Sequence, residues 1–204
     1  ITNEAIDDKL ERAKKSPWTD YAFYLGGTEH YAKDLAKWEN MKGVCGIKIF
    51  MGASTGNLLS ATDEEVEAVV ANGNRVIAVH AEDEFLMNEN KKTILKDSND
   101  VGMHCKWRDV NSSLNATKRV VSLAKKHNRH VHVLHITTAE EMDYLRNHKD
   151  TATVEVLPNH LTFHAPDCYE QLGTLAQQNP PIREKHHQDA LWQAINDGTV
   201  DIVA

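Results

Sequence analysis

Positive charge is scarce in this sequence. Its 23 lysines and arginines are outnumbered by 30 aspartates and glutamates, for a formal net charge of −7, and no basic run stands anywhere along the 204 residues. Such a chain is a poor partner for nucleic acid or for an anionic membrane. No apolar stretch approaches the roughly 20 residues that cross a bilayer. Only three cysteines occur, Cys45, Cys105 and Cys168, odd in number and without a CxxC. That argues against a disulfide framework or a structural zinc knuckle and suits a reducing, cytoplasmic setting. No GxGxxG or GxxxxGK[ST] follows any candidate strand, so nucleotide-binding open sheets lose weight. There is no signal-peptide pattern, and the first residue is Ile1 rather than Met. A helical pattern begins almost at once, and the final TVDIVA reads as a strand with no loop behind it. Both features lead us to expect an interior piece of a longer enzyme.

What is present is alternation. The length suits one α/β domain with a sizeable core. Apolar, β-branched runs over 21–25, 44–50, 76–80, 130–136, 152–157 and 199–204 read as strands. Helical spacing occupies 3–15, 29–40, 63–71, 83–96, 111–127, a segment starting at 138, and 184–196. Ser16-Pro17 should end the first helix, Thr28 and Thr62 should cap the second and third, and 97–110 should be a loop. Strands separated by helices imply a parallel sheet, either doubly wound or a TIM-type barrel.

One stretch organises the rest: GVCGIKIFMGASTGN, residues 43–57. It reads as a buried strand running into a loop of Gly52, Ala53, Ser54, Thr55 and Gly56, with Lys48 at its centre between Ile47 and Ile49. An ammonium buried without a partner is very costly. The side chain must snorkel to the rim, pair with a carboxylate, or lose its charge. Burial lowers a lysine pKa, and a neutral amine can add CO2 to become a carbamate able to bridge two metal ions.

Two histidines join it. Lys48, His80 and His135 lie at or near the C-terminal ends of three successive strands, the edge where sites assemble in parallel α/β folds. By strand parity His135 shares a face with Val131 and Val133, whereas His130 and His132 fall on the other face and read as packing or surface residues. Glu82 and Asp83 after His80, and Thr137, Thr138, Glu140 and Glu141 after His135, are candidates to hold the second ring nitrogen of a ligating histidine. Thr138 and Glu141 read better as a capping box. The rigid Asn179-Pro180-Pro181-Ile182-Arg183 segment lies on the same edge and directs Asn179 or Arg183 toward an anionic substrate.

GIKIFMGASTGNL, VIAVHAEDE, HVHVLHITTAEE, VEVLPNHLTF and QNPPIR, in this order and spacing, closely resemble the class I dihydroorotases of the amidohydrolase superfamily; WRD at 107–109 and the DGTVDIVA ending fit as well. The resemblance covers essentially the whole chain. It implies a distorted (β/α)8 barrel with two zinc ions, of which residues 1–204 form a partial amidohydrolase barrel domain covering about strands three to eight. It implies that Lys48 is the carboxylated bridge, that His80 and His135 bind the second zinc, that Asn179 contacts the dihydroorotate ring, and that His160 has a supporting role. The family's HxHxR motif, its carboxylate-binding asparagine and its catalytic aspartate are absent, and are expected before Ile1 and beyond Ala204. The implied reaction is reversible cyclisation of N-carbamoyl-L-aspartate to L-dihydroorotate, a small-molecule reaction of pyrimidine biosynthesis, with the fragment itself inactive. The alternatives are a dihydropyrimidinase, hydantoinase or allantoinase, or a non-catalytic dihydroorotase-like assembly partner. An incomplete barrel also exposes apolar strand edges, so association into a homo-oligomer is expected where they stay uncovered.

Overall fold

A computed structural model describes residues 3–15, 18–52, 58–96 and 98–204. The expected helix stop at Ser16-Pro17 and the loop residues Ala53 to Gly56 lie outside the described residues. In chain order the elements are α1 (Asn3–Ala13), β1 (Phe23–Gly26), α2 (Ala32–Trp38), β2 (Val44–Phe50), α3 (Asp63–Val70), β3 (Ile77–His80), α4 (Glu84–Ile94), α5 (His104–Trp107), α6 (Val110–Lys126), β4 (Val131–Val133), α7 (Ala139–Arg146), β5 (Ala152–Val156), α8 (Pro158–Thr162), α9 (Asp167–Leu172), α10 (Lys185–Asn196) and β6 (Ile202–Val203).

All six strands pair in parallel, in the order β1-β2-β3-β4-β5-β6, with β1 and β6 as the two edges. Sequential parallel order with a helical crossover after each strand is the barrel pattern. The helix-facing side of the sheet is apolar: Ile47, Ile49, Ile77, Val79, Val131, Val133, Val154 and Val156 are buried in one core. Against them pack Val66, Val69 and Val70 of α3, Val120, Val121 and Ala124 of α6, Met142 and Leu145 of α7, and Leu191 and Ala194 of α10. Strand side chains alternate, so the opposite side carries Lys48, His80, His132 and Glu155. A continuous apolar layer outside forces the polar residues to face inward.

Short polar residues start the helices as their chemistry dictates. Thr62 and Glu65 form a complete capping box. Asp83 accepts from Phe85 N and Leu86 N, and Asp109 from Ser112 N. Thr138 caps α7, but the Glu141 carboxyl turns to the hydroxyls of Thr138 and Thr117. Thr28 precedes a 3-10 turn at Glu29–Tyr31, ahead of α2, and makes no side-chain cap bond there. The 97–110 segment is not a plain loop: Asp100 caps a 3-10 turn over Val101–Met103, and α5 follows, anchored by buried Cys105. Among the described residues no helix is long and apolar enough to cross a membrane.

Replacing Thr62 with alanine removes one of the helix-end bonds of α3. The expected loss is about 1 kcal/mol, read as a fall in melting temperature of about 2–4 °C for a chain of this size.

Candidate metal and active site

Lys48 stands on β2 opposite Gly26 of β1 and Ala78 of β3, two small neighbours that leave room for its stem. Its Nζ is buried, has no hydrogen-bond partner among the described residues, and lies 4.3 Å from the centre of the Phe50 ring. Burial pulls its pKa down to about 7, against an opposing pull from Glu155. A cation over an aromatic face gains a little, but not enough to offset the lost hydration. A large part of the population is therefore a neutral amine near pH 7.

His80 ends β3, across from Phe50. Its Nδ1 faces His135 Nε2 at 3.1 Å, with the two rings edge to face. Its Nε2 lies 3.0 Å from Glu82 Oε2, although off the line of a good hydrogen bond. Glu82 is fully buried and gripped by the Arg108 guanidinium. Burial pushes its carboxyl up, but His80 and Arg108 outweigh that and hold it at about 2. Gly52, just after β2, passes close by, since a Cβ there would meet the Glu82 carbonyl oxygen at 2.6 Å.

His135 reaches the site by an irregularity. Regular strand stops at Val133, and His135 has φ +42°, a left-handed backbone that a non-glycine residue rarely adopts. The parity expectation does not carry across this turn. His132 shares the interior with Lys48 and is buried, its Nδ1 on Thr153 Oγ1 and its Nε2 on Glu155 Oε2. His130 is exposed, as expected. The turn is held by Glu155, whose Oε1 accepts the His135 backbone N–H while its carbonyl accepts that of Ile136. Burial, with His80 and Lys48 nearby, keeps the His135 ring well below its ordinary pKa, and its Nδ1 is buried without a partner among the described residues.

Asn179 is exposed at the same region, its Oδ1 on His104 Nε2. Arg183 does not face a ligand. Its guanidinium is spent on Thr137 Oγ1, Arg108 O, Asp109 O and Ser113 Oγ. Asp83 serves as a cap and as the partner of Arg119 and Asn115 rather than of a histidine. His160 is buried, with burial lowering its pKa to about 4.

The donor set suits a divalent cation. Two zinc ligands at ~2.0–2.1 Å in tetrahedral geometry sit about 3.3–3.4 Å apart, close to the 3.1 Å between His80 Nδ1 and His135 Nε2. A carboxylate on the far nitrogen of a ligating histidine is the common arrangement, and Glu82 supplies it. Among the described residues no group of three or more His, Cys, Asp or Glu is gathered as a complete cage; Lys48 is near enough to help lower the pKa of His135.

No protein-family model matches the chain. Solved structures share this partial-barrel fold, and the curated relatives place the chain in the amidohydrolase class. D-hydantoinase from Bacillus sp. AR9 superposes with a TM-score of 0.88 at 23% identity, over 100% of this chain and 47% of that one. An inactive dihydroorotase-like domain of a Chaetomium thermophilum multifunctional protein superposes at 0.66 and 16% identity, over 99% of this chain and 48% of that one. Within the class, the chain is dihydroorotase-like. It is 31% identical to the dihydroorotase of Methanosarcina acetivorans over 98% of its length and 44% of that protein's, and 26% identical to a Salmonella allantoinase over 98% of its length and 47% of that enzyme's. The chain thus spans about half the length of the curated relatives it matches.

Proposed function

We propose that the intact protein is a zinc-dependent, cytoplasmic dihydroorotase that interconverts N-carbamoyl-L-aspartate and L-dihydroorotate, with residues 1–204 a partial amidohydrolase barrel domain. The observation that carries this is the pair of histidine nitrogens 3.1 Å apart at the sheet edge that also bears a lysine amine unpartnered among the described residues, in a chain similar to dihydroorotases.

Lys48, His80 and His135 would hold metal, two zinc ions in the complete site. When bound, zinc supplies a Lewis acid for an amide carbonyl and hydroxide near neutral pH. The chain's own residues prepare for it. The neutral Lys48 amine adds CO2 through its lone pair and releases one proton. The carbamate that results is an anion with two oxygen donors, which a lysine ammonium cannot offer. Glu82 stays ionised 3.0 Å from His80 Nε2 and favours the hydrogen on that nitrogen, which would leave the Nδ1 lone pair for a metal. Glu155 fixes the turn that aims His135. Asn179 offers its side-chain amide to the ring of the substrate.

A second reading, a cyclic amidohydrolase acting on hydantoin, dihydrouracil or allantoin, draws on the likeness to the hydantoinases and the Salmonella allantoinase. Assays of the full-length protein on dihydroorotate, dihydrouracil, hydantoin and allantoin separate the readings. We expect kcat/KM for dihydroorotate to exceed the others by at least about a hundredfold, the discrimination that a polar pocket reaches when the wrong ligand leaves its groups unpaired. A preference for any other amide overturns the assignment. Loss of all turnover in zinc-loaded enzyme favours a non-catalytic homologue.

A further inference from the structure

Asn179 sits between two histidines that come from distant parts of the chain. His104, at the start of α5, brings Nε2 to 3.0 Å from the carbonyl oxygen of Gln178 and 3.1 Å from Asn179 Oδ1. His160, in α8, brings Nε2 to 3.1 Å from the carbonyl oxygen of Pro180. The backbone carbonyls on either side of Asn179 therefore each meet an imidazole nitrogen.

The chemistry fixes the protons. A backbone carbonyl only accepts, so both imidazoles must carry their hydrogen on Nε2. The Gln178 side-chain amide also meets His160 Nε2, at 2.6 Å, and reaches Asn159 at 2.9 Å. A half-turn of both amides, Gln178 and Asn159, makes each of these contacts a donor facing an acceptor with His160 as the Nε2–H tautomer. The His104 ring is braced by the edge of Trp107, 5.6 Å between centroids. His160 is 3% exposed and cannot swing away.

We propose that His104 and His160 form a two-sided clamp that positions Asn179, and that His104 sets which way its amide points. With Oδ1 occupied by the His104 N–H, the amide NH2 is the end left without a partner among the described residues. The clamp presents a hydrogen-bond donor to the substrate, suited to a ring carbonyl. This deepens the proposed function and rests on its reading of Asn179 as a substrate contact. His104 is a positioning residue in this account, acting through Asn179.

Two experiments on the full-length enzyme test it. The first needs no substrate: long-range 1H–15N NMR of histidine-labelled protein reads the tautomers directly. The expected result is Nε2–H for both His104 and His160; an Nδ1–H tautomer at His104 overturns the clamp. The second is kinetic, on whichever cyclic amide the wild-type enzyme prefers, so that a different substrate sinks the reaction assignment without deciding the clamp. His104→Leu is expected to raise KM about tenfold, roughly what one hydrogen bond supplies, with kcat within about twofold. His104→Gln keeps a donor and should recover most of that loss. His104→Leu added to Asn179→Ala should cost nothing more than Asn179→Ala alone, as expected for one unit. Unchanged KM in His104→Leu, a fall confined to kcat, or additive losses in the double variant would each overturn the proposal. If the wild-type enzyme turns over no amide, the NMR tautomers decide alone.

Discussion

Lys48→Met is expected to abolish zinc retention and turnover while making the metal-free protein more stable. The two effects have one cause. The Lys48 amine is buried with no hydrogen-bond partner among the described residues, and its pKa falls from 10.5 to about 7 because burial disfavours the charged form. At neutral pH the fold bears that cost, and a methionine of similar volume removes it. The expected gain is about 2–4 kcal/mol near pH 6, or about 5–12 °C in melting temperature. The pH dependence has a definite sign. Below about pH 7 both folded and unfolded chains hold the proton and the cost is at its full value. Between about 7 and 10.5 only the unfolded chain keeps the proton, so the wild-type fold gains stability as pH rises and the advantage of the methionine variant shrinks. Melting curves of metal-stripped, CO2-depleted protein from pH 6 to 10 check this. A variant that melts lower at pH 6, or that keeps zinc and activity, contradicts the account of Lys48.

Arg108→Met should have the largest destabilising effect. Arg108 and Glu82 are both almost fully buried, with the guanidinium Nε 3.1 and 3.2 Å from the two carboxylate oxygens. Removing one member of a buried ion pair strands the other, at a cost of about 3–5 kcal/mol, a fall of roughly 10 °C or more. Replacing both with apolar residues, Arg108→Met with Glu82→Leu, should restore most of that stability, since a buried pair contributes little net energy over hydrophobic packing. The double variant should still bind zinc about 10–100-fold more weakly, because His80 has lost the carboxylate behind it. Thermal melting and a competitive zinc titration separate the two roles. Recovery of both stability and affinity would show that Glu82 serves only the pair.

Local pattern made much of this legible. The β2 strand has the bounds that the apolar run gave it, the parallel sheet follows from alternation, and Lys48 on β2 and His80 at the end of β3 come from neighbouring strands, with His135 meeting His80 from just beyond β4. Glu155 obeys the rule that drew attention to Lys48, a charge between apolar neighbours in mid-strand, and that signal was available in VEV. Other features were out of reach of any local reading. The left-handed turn at His135 is imposed by Glu155, 20 residues away. Arg108 closes on Glu82 across 26 residues, and His104 on Gln178 across 74. A basic side chain in a loop looks the same in sequence whether it reaches for solvent, substrate or a buried carboxylate. Arg183 resembled an anion binder for that reason and proved to be an internal tie.

The most direct test of the site is anomalous diffraction at the zinc edge from crystals of the full-length protein equilibrated with zinc and bicarbonate. The account predicts a zinc peak within bonding distance of both His80 Nδ1 and His135 Nε2, and density for a carbamate extending from Lys48 Nζ. Crystals saturated with zinc that show no peak there, and a Lys48 side chain ending at its own nitrogen, would contradict it.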